Sequence, residues 1–308
     1  MDIQASLNKN DVCILIPTLN EEVTIVQLIK DFRSEGFENI LVIDGHSSDN
    51  TRKLAEENGA KVIVQEGKGK GQAVQEAFQL IEDPYIVMID GDGTYLASDV
   101  HAVLQPILDG HAEHTLGNRM ANFEAGAFTK LNLAGNKILN KLFGFAYGIW
   151  LEDILTGYRG FTHHVIKNLS LTEMGFEIET EMTVESVKNE MKVKVVPITY
   201  VARHSSAATK LNPLRDGLKI AKTIFRMARL HNPMFYFGIL GTGLTLSGIA
   251  VGLYVVNEWM NGVTRIPMTI LTALLILTGI QMFIFGMLSD LIVSLHRETM
   301  RMLRKRDD

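Results

Sequence analysis

Residues 234–256 carry no charged side chain across 23 positions, and residues 266–289 carry none across 24. At about 1.5 Å of rise per residue, either stretch crosses a hydrocarbon core of roughly 30 Å as a helix. In lipid a segment must satisfy its own backbone N–H and C=O groups, which confines two such stretches to a helical hairpin. Between them lies a short polar turn, Asn257 to Arg265, whose Trp259 suits a membrane interface.

Basic residues set the orientation of that hairpin. Arg215, Lys219, Lys222, Arg226 and Arg229 precede it, and Arg297, Arg301, Arg304, Lys305 and Arg306 follow it, against Arg265 alone in the turn. The positive-inside rule then puts both termini, and the whole N-terminal part, on the cytoplasmic side of a cell membrane. The upstream basic residues recur every three or four positions and share one helical face, with Leu214, Leu218, Ala221, Phe225 and Ala228 one residue earlier. Such a helix suits an anionic leaflet, the alternative being a surface helix packed on the preceding domain. The expected organisation is a domain over 1–211, an amphipathic interfacial helix over 212–232, a two-span hairpin over 233–296 and a basic cytoplasmic tail over 297–308.

The N-terminal part reads as alternating strands and helices. Strands are expected at Val12–Ile16, Asn39–Asp44, Lys61–Gln65 and Tyr85–Asp90, with helices from Glu21 to Glu35, after Thr51 to Asn58, and before Ile81. This alternation predicts a parallel sheet with helices on both faces. Cys13, the lone cysteine, falls inside the first strand, which excludes an intrachain disulfide and fits a reducing compartment. The formal charge of −5 gives no sign of nucleic-acid binding.

Each strand runs into a polar or glycine-rich segment: Pro17 to Glu22, Asp44 to Thr51, Glu66 to Ala73, and Asp90-Gly91-Asp92-Gly93. Carboxyl ends of strands in open α/β sheets are where such folds bind ligands. Two carboxylates one residue apart, flanked by glycines, suit a divalent cation that also holds phosphate oxygens; an acidic turn capping the next helix is the plainer reading. No Walker loop is present, and Gly67-x-Gly69-x-Gly71 lacks the dinucleotide spacing, which argues against a P-loop ATPase or a dehydrogenase.

Taken in order, Pro17-Thr-Leu-Asn-Glu21, Ile43-Asp-Gly-His-Ser-Ser-Asp-Asn-Thr51, Gly69-Lys-Gly-Gln-Ala73 and Asp90-Gly-Asp-Gly-Thr-Tyr95 resemble the motifs of family 2 glycosyltransferases of the GT-A fold. Within that family the chain is similar to dolichyl-phosphate sugar synthases, especially archaeal ones of protein N-glycosylation, over roughly residues 10–211. The resemblance implies an α/β GT-A domain, Rossmann-like with a mostly parallel sheet, followed by the interfacial helix and transmembrane hairpin. It also implies that Pro17, Asn20 and Glu21 line the nucleotide's base and ribose, that Asp44 accepts from the base, and that Lys70 approaches the nucleotide. Asp90 and Asp92 would hold Mg²⁺ or Mn²⁺ on the diphosphate, with Gly91 between them in the nucleotide-sugar site.

The acceptor half follows the same resemblance. Gly117-Asn118-Arg119, at an expected strand end, is similar to a Gly-Ser-Arg motif whose arginine faces the acceptor phosphate. Asp153-Ile-Leu-Thr156-Gly157-Tyr158-Arg159 is similar to Asp-x-x-Ser/Thr-Gly-Phe-Arg, which implies Asp153 beside the transferred sugar and attacking oxygen and Arg159 near the acceptor phosphate. Asp153 as a plain ion-pair partner of Arg159 is the competing reading. An expected helix from Phe128 to Phe145 offers Lys130 as a second basic residue for the lipid phosphate. Gly175 to Glu181 opens a further helix, where its acids suit the helix dipole. Arg203 and Lys210, in a segment where Ala207 replaces the usual glycine, would close over the diphosphate or lipid phosphate.

The resulting expectation is an inverting, metal-dependent transferase with Asp153, Arg119 and Asp92 as its catalytic residues. It would move one sugar from a nucleotide donor, a UDP-sugar rather than GDP-mannose, to dolichyl or polyprenyl phosphate at the bilayer. The hairpin also offers a surface through which copies could form a homo-oligomer. Two alternatives remain: a family 2 enzyme extending a lipid-linked glycan or another hydroxyl acceptor, and a non-catalytic membrane tether that binds nucleotide-sugars.

Overall fold

All seven residues of Val12–Thr18 are buried, as are all five of Ile40–Asp44, because both strands lie inside a sheet covered by helices on its two faces. The structure, a computed structural model, describes residues 8–203 and 213–307. Its elements in chain order are β1 (Val12–Thr18), α1 (Ile25–Ser34), β2 (Ile40–Asp44), α2 (Thr51–Glu57), β3 (Lys61–Val64), α3 (Lys70–Leu80), β4 (Tyr85–Met88) and α4 (Val100–Leu108). There follow β5 (His114–Phe123), α5 (Lys130–Tyr147), β6 (Arg159–Thr162), α6 (His163–Asn168), α7 (Ile178–Lys188), β7 (Val193–Tyr200), α8 (Pro213–His231), α9 (Pro233–Met260) and α10 (Ile266–Asp307).

The sheet order is β3-β2-β1-β4-β6-β5-β7. The first four strands are parallel, as their alternation with helices predicts. β6 runs antiparallel to both β4 and β5, and β5 pairs in parallel with β7. One apolar layer joins Ile14, Ile16, Val42 and Val87 to Ile29 and Phe32 of α1, and the other joins Leu15, Ile43 and Met88 to Val74 and Phe78 of α3. These residues alternate along the strands, so the period of two in β1 sends successive side chains to opposite helical layers.

Two elements differ from the sequence expectation. The first helix begins at Ile25 rather than Glu21, because Asn20 takes a left-handed φ and the chain turns over residues 22–24 before the helix starts. β5 continues past Arg119 to Phe123, with an irregularity in its pairing between Asn118 and Asn122.

The chain divides into two compact units, residues 1–144 with 149–224, and residues 145–148 with 225–308. In the first, α8 contributes Thr223, whose hydroxyl donates to Glu173 at 2.9 Å, and Lys219, 3.6 Å from Glu177. Ile220 and Ile224 are buried, whereas Leu218 is 73% exposed. The second unit is the hairpin. Segments Pro233–Met260 and Ile266–Leu295 are long and apolar enough to cross a membrane. A Cβ on Gly241 would lie 2.8 Å from the Gly279 carbonyl oxygen, so the small residues let α9 and α10 approach at their crossing. The basic C-terminal segment continues α10 as one helix to Asp307.

Candidate active site

The ends of β1 and β2 are tied together by polar side chains. Asn20 adopts a left-handed φ of 52°, tolerated by asparagine, and its Oδ1 accepts from the Ser48 N–H at 2.8 Å. Its own N–H donates to Ser47 Oγ at 2.8 Å, and the Glu21 N–H donates to Thr51 Oγ1 at 2.8 Å. Asp44, expected to accept from a base, is fully buried: its Oδ1 accepts from the Ser47 N–H at 2.8 Å, its Oδ2 from the Ser47 and Thr18 hydroxyls, and Arg52 lies 3.6 Å away. The carboxylate therefore braces the loop that joins the two strand ends. Pro17 is likewise buried within β1, while Asn20 and Glu21 stand at its end.

Beyond β4 come the paired acids. Lys70, at the start of α3, gives its ammonium to both Asp90 and Glu179, and the Arg203 guanidinium bonds Asp92. Asp92 also accepts from the Thr94 N–H at 3.1 Å and the Thr94 hydroxyl at 2.6 Å. Between the acids, the Gly91 carbonyl accepts from the Thr24 hydroxyl. Burial acts to raise the Asp92 pKa, but Arg203 and Thr94 outweigh it and hold the group below the ordinary carboxylate range. For Glu179 burial prevails and pushes the carboxyl upward, despite Lys70. Gly157 closes this edge: a Cβ there would collide with the Asp90 carboxylate.

This donor set fits a divalent cation. Both carboxylates sit at one strand end, and each is paired with a cationic side chain that balances two adjacent acids. A magnesium-like ion needs only one or two carboxylates, with phosphate oxygens and water completing its shell. Among the described residues no group of three or more His, Cys, Asp and Glu could hold a metal ion.

The second half of the site centres on Asp153. Arg119 donates to it from Nε at 2.7 Å, from Nη2 at 2.8 Å and from its backbone N–H at 3.2 Å. Asn136 of α5 donates to the same carboxylate at 3.0 Å and is itself bonded by Asn140, whose Oδ1 accepts from the Ile154 N–H at 3.0 Å. The rings of Tyr200 and Phe128 lie 5.4 and 5.7 Å from the Arg119 guanidinium, a cation–π cradle. Burial acts to raise the Asp153 pKa, yet Arg119 and Asn136 bring it below the ordinary value. Tyr95 bridges the two halves, its hydroxyl accepting from the Gly157 N–H at 2.9 Å and its ring edge-on to Tyr200 at 5.1 Å.

Arg159 does not join this cluster. It is fully buried and donates to the carbonyls of Thr156 at 2.9 Å and Ile154 at 2.8 Å, to Thr183 Oγ1 at 2.9 Å and to His114 Nε2 at 3.2 Å. Burial pushes its pKa down to about 10. The expected contact with an acceptor phosphate gives way to a structural task, holding the turn that carries Asp153; its expected alternative partner, Asp153, belongs to Arg119. Lys130 is exposed at the first turn of α5. Lys210 lies outside the described residues.

Sequence reasoning passed over Glu179, Asn140, Phe128 and Tyr200. Asn136 and Asn140 are four residues apart on one helix, a spacing that stacks two amides on one face. Glu179 is one of three acids at a helix start, and nothing in its spacing separates it from Glu177 and Glu181.

Comparison with known proteins places this geometry. Residues 13–169 match the model of glycosyl transferase family 2. The glycosyltransferase AglJ of Haloferax volcanii is 48% identical over 96% of this chain and 97% of its own. A dolichyl-phosphate hexose transferase of the same organism is 30% identical over 71% of this chain and 94% of its own. The crystal structure of glucosyl-3-phosphoglycerate synthase from Mycobacterium tuberculosis, in complex with Mn²⁺, UDP-glucose and phosphoglyceric acid, shares the fold at a TM-score of 0.55 and 19% identity, covering 71% of this chain and 78% of that one.

Proposed function

The chain belongs to glycosyl transferase family 2, and from that premise we propose that it moves a single sugar from a UDP-sugar to dolichyl or another polyprenyl phosphate at the cytoplasmic membrane face. The carrying observation is the state of Asp153. A carboxylate locked in a two-pronged pair with Arg119 and held below its ordinary pKa is a weak proton acceptor. A hydroxyl acceptor would need a stronger base than this, whereas a phosphate monoester is already ionised at neutral pH. An acceptor phosphate of that kind could instead meet the Arg119 guanidinium at Nη1, beside the Nε and Nη2 donors that Asp153 takes.

In this reading an acceptor phosphate oxygen attacks the anomeric carbon, the bond to the donor's diphosphate breaks, and the nucleoside diphosphate leaves with the bonding electrons. Asp90 and Asp92 would hold Mg²⁺ or Mn²⁺, which would neutralise charge growing on the diphosphate. Lys70 and Arg203 sit on those same carboxylates and would turn to the phosphates as the acids are taken up. Arg119 orients the acceptor phosphate, and Asp153 fixes Arg119 and keeps the charge at the anomeric face balanced. Asn20 and Glu21, at the β1 end, would flank the nucleoside.

Three lines support the acceptor and the place. A relative is named as a dolichyl-phosphate hexose transferase, and two long apolar helices follow the catalytic unit. The basic positions of α8 and α10 flank those helices, the pattern expected for a cytoplasmic enzyme. UDP as the donor nucleotide draws on the mycobacterial structure with UDP-glucose.

The test is transfer by the detergent-purified full chain, with Mn²⁺ or Mg²⁺, dolichyl phosphate and a panel of radiolabelled nucleotide-sugars. Label passing into the organic phase from one UDP-sugar is the expected result. Label appearing only on a glycosylated lipid or a free hydroxyl would overturn the phosphate-acceptor reading.

A further inference from the structure

Lys70 is held in place at its backbone and divided at its tip. Gly69, at φ 98°, and Gly71 press so closely on the carbonyls of Met174 and Glu173 that a Cβ on either would collide with them. The Gly71 N–H donates to the Met174 carbonyl at 3.0 Å. The start of α3 therefore cannot shift without the segment that leads into α7, and any motion of Lys70 belongs to its side chain. At the tip, the ammonium lies between Asp90 and Glu179, with the Phe176 ring 5.9 Å below.

Glu179 is 4% exposed, and its two oxygens fare differently. Oε1 accepts from Lys70, while Oε2 has no hydrogen-bond partner among the described residues. An unmatched carboxylate oxygen in the interior is costly, and a second arrangement that uses it is one reason for a fold to keep it. The first turn of α7 also holds the residue in place, since its carbonyl accepts from the Thr183 hydroxyl at 3.0 Å. The vacant lone pairs are thus on a fixed carboxylate already bonded to a movable cation.

We propose that Glu179 is a positioning residue that gives Lys70 a second seat: when a divalent cation takes Asp90, the ammonium leaves Asp90 and turns its freed N–H to Glu179 Oε2. Lys70 then remains at the site, charged and beside the metal, available to the donor's diphosphate. Without the second seat Lys70 has only Asp90 to hold, and it competes with the metal for that carboxylate. The inference rests on Asp90 and Asp92 being the metal pair.

Its test is binding of Mn²⁺ alone to the detergent-solubilised full chain, followed by water-proton relaxation. Glu179→Gln is expected to weaken Mn²⁺ binding about tenfold and Lys70→Met to tighten it about tenfold, the size of one charge contact at a partly buried site. In the Lys70→Met background, Glu179→Gln should have no further effect, because the competitor is gone. An equal loss in both backgrounds would reduce Glu179 to a nearby negative charge and overturn the proposal, as would an unchanged affinity in the single variant. Should Glu179→Gln fail to fold, Glu179→Asp keeps the charge and shortens the reach, and the same comparison applies. Wild-type protein that binds Mn²⁺ no better than Asp92→Ala would instead sink the metal reading itself.

Discussion

Arg119 and Asp153 meet fork to fork, two parallel N–H···O bonds of 2.7 and 2.8 Å on a carboxylate with no solvent exposure. Neither partner can be removed without stranding the other. Breaking a buried pair of this kind costs about 3–5 kcal/mol. Arg119→Lys keeps the charge but loses the planar fork, so it should fold and lose about hundredfold in transfer rate. Steady-state kinetics with varied acceptor would show it; an Arg119→Lys enzyme of normal rate would exclude the fork from the reaction.

The same pair predicts a pH profile. Burial alone would raise Asp153, but Arg119 prevails and its folded pKa lies below the unfolded value of about 3.9. Its stabilising contribution is therefore complete above that unfolded value and is lost as pH falls through the lower folded one. Between about pH 5.5 and 8 the group stays ionised. A profile of kcat/KM over that range should show no inflection that disappears in Asp153→Asn.

His114 behaves in the opposite sense. Its ring is fully buried, stacked on Phe161 at 4.3 Å, and takes an N–H from Arg159 at Nε2 while Nδ1 faces Ser186 Oγ at 2.8 Å. Burial first, and Arg159 second, keep its pKa well below the ordinary value. The folded chain holds it neutral while the unfolded chain protonates near about pH 6.5, so stability falls as pH drops below that point. The loss is at most about 1.4 kcal/mol per pH unit from this group. Melting curves at two pH values should differ less for His114→Gln than for the wild type.

Chelation offers a direct check on the acidic pair. Excess EDTA should abolish transfer, and Mn²⁺ or Mg²⁺ should restore it. Asp92→Ala should lose at least about hundredfold in rate and recover with neither metal. Full transfer in EDTA would remove the metal from the account.

Gly157 provides a steric probe of the boundary between the two halves. A Cβ there meets the Asp90 carboxylate and would push it from its place. Gly157→Ala should weaken metal activation by about tenfold while lowering the melting temperature by only a few degrees. Titration of the rate with Mn²⁺ separates this outcome from a general loss of fold.

Apolar runs made β1, β2 and β4 legible, because a buried parallel strand leaves no room for polar residues, while β3, a half-exposed edge strand, was marked by its place in the alternation. The antiparallel entry of β6 was not legible, since Arg159 to Thr162 is too short and mixed to announce a direction. Asp90, Asp92, Asp153 and Arg119 could be picked out by motif, and they do gather at one edge. Arg159 sits in the same motif, yet a single strand alternation turns it inward onto carbonyls. Glu179 stayed hidden because an acid in a first helical turn already has a sufficient local reason. Hydropathy located the apolar stretch of α10 but not its end, because a helix persists through polar residues that lipid would exclude.

The register of β6 carries a last consequence. Arg159 pairs with Met88 on one side and Leu116 on the other, so Gly157 and Asp90, each two residues beyond that pair, arrive from opposite chain directions at the ends of strands about 4.8 Å apart. The meeting of Gly157 with the Asp90 carboxylate is thus set by the register of β6 against β4. A slip of one residue would turn every β6 side chain over and bring the wrong groups to that meeting. Variation in what this site accepts has to be sought in loop sequence and length, since the strand register underneath admits no intermediate settings.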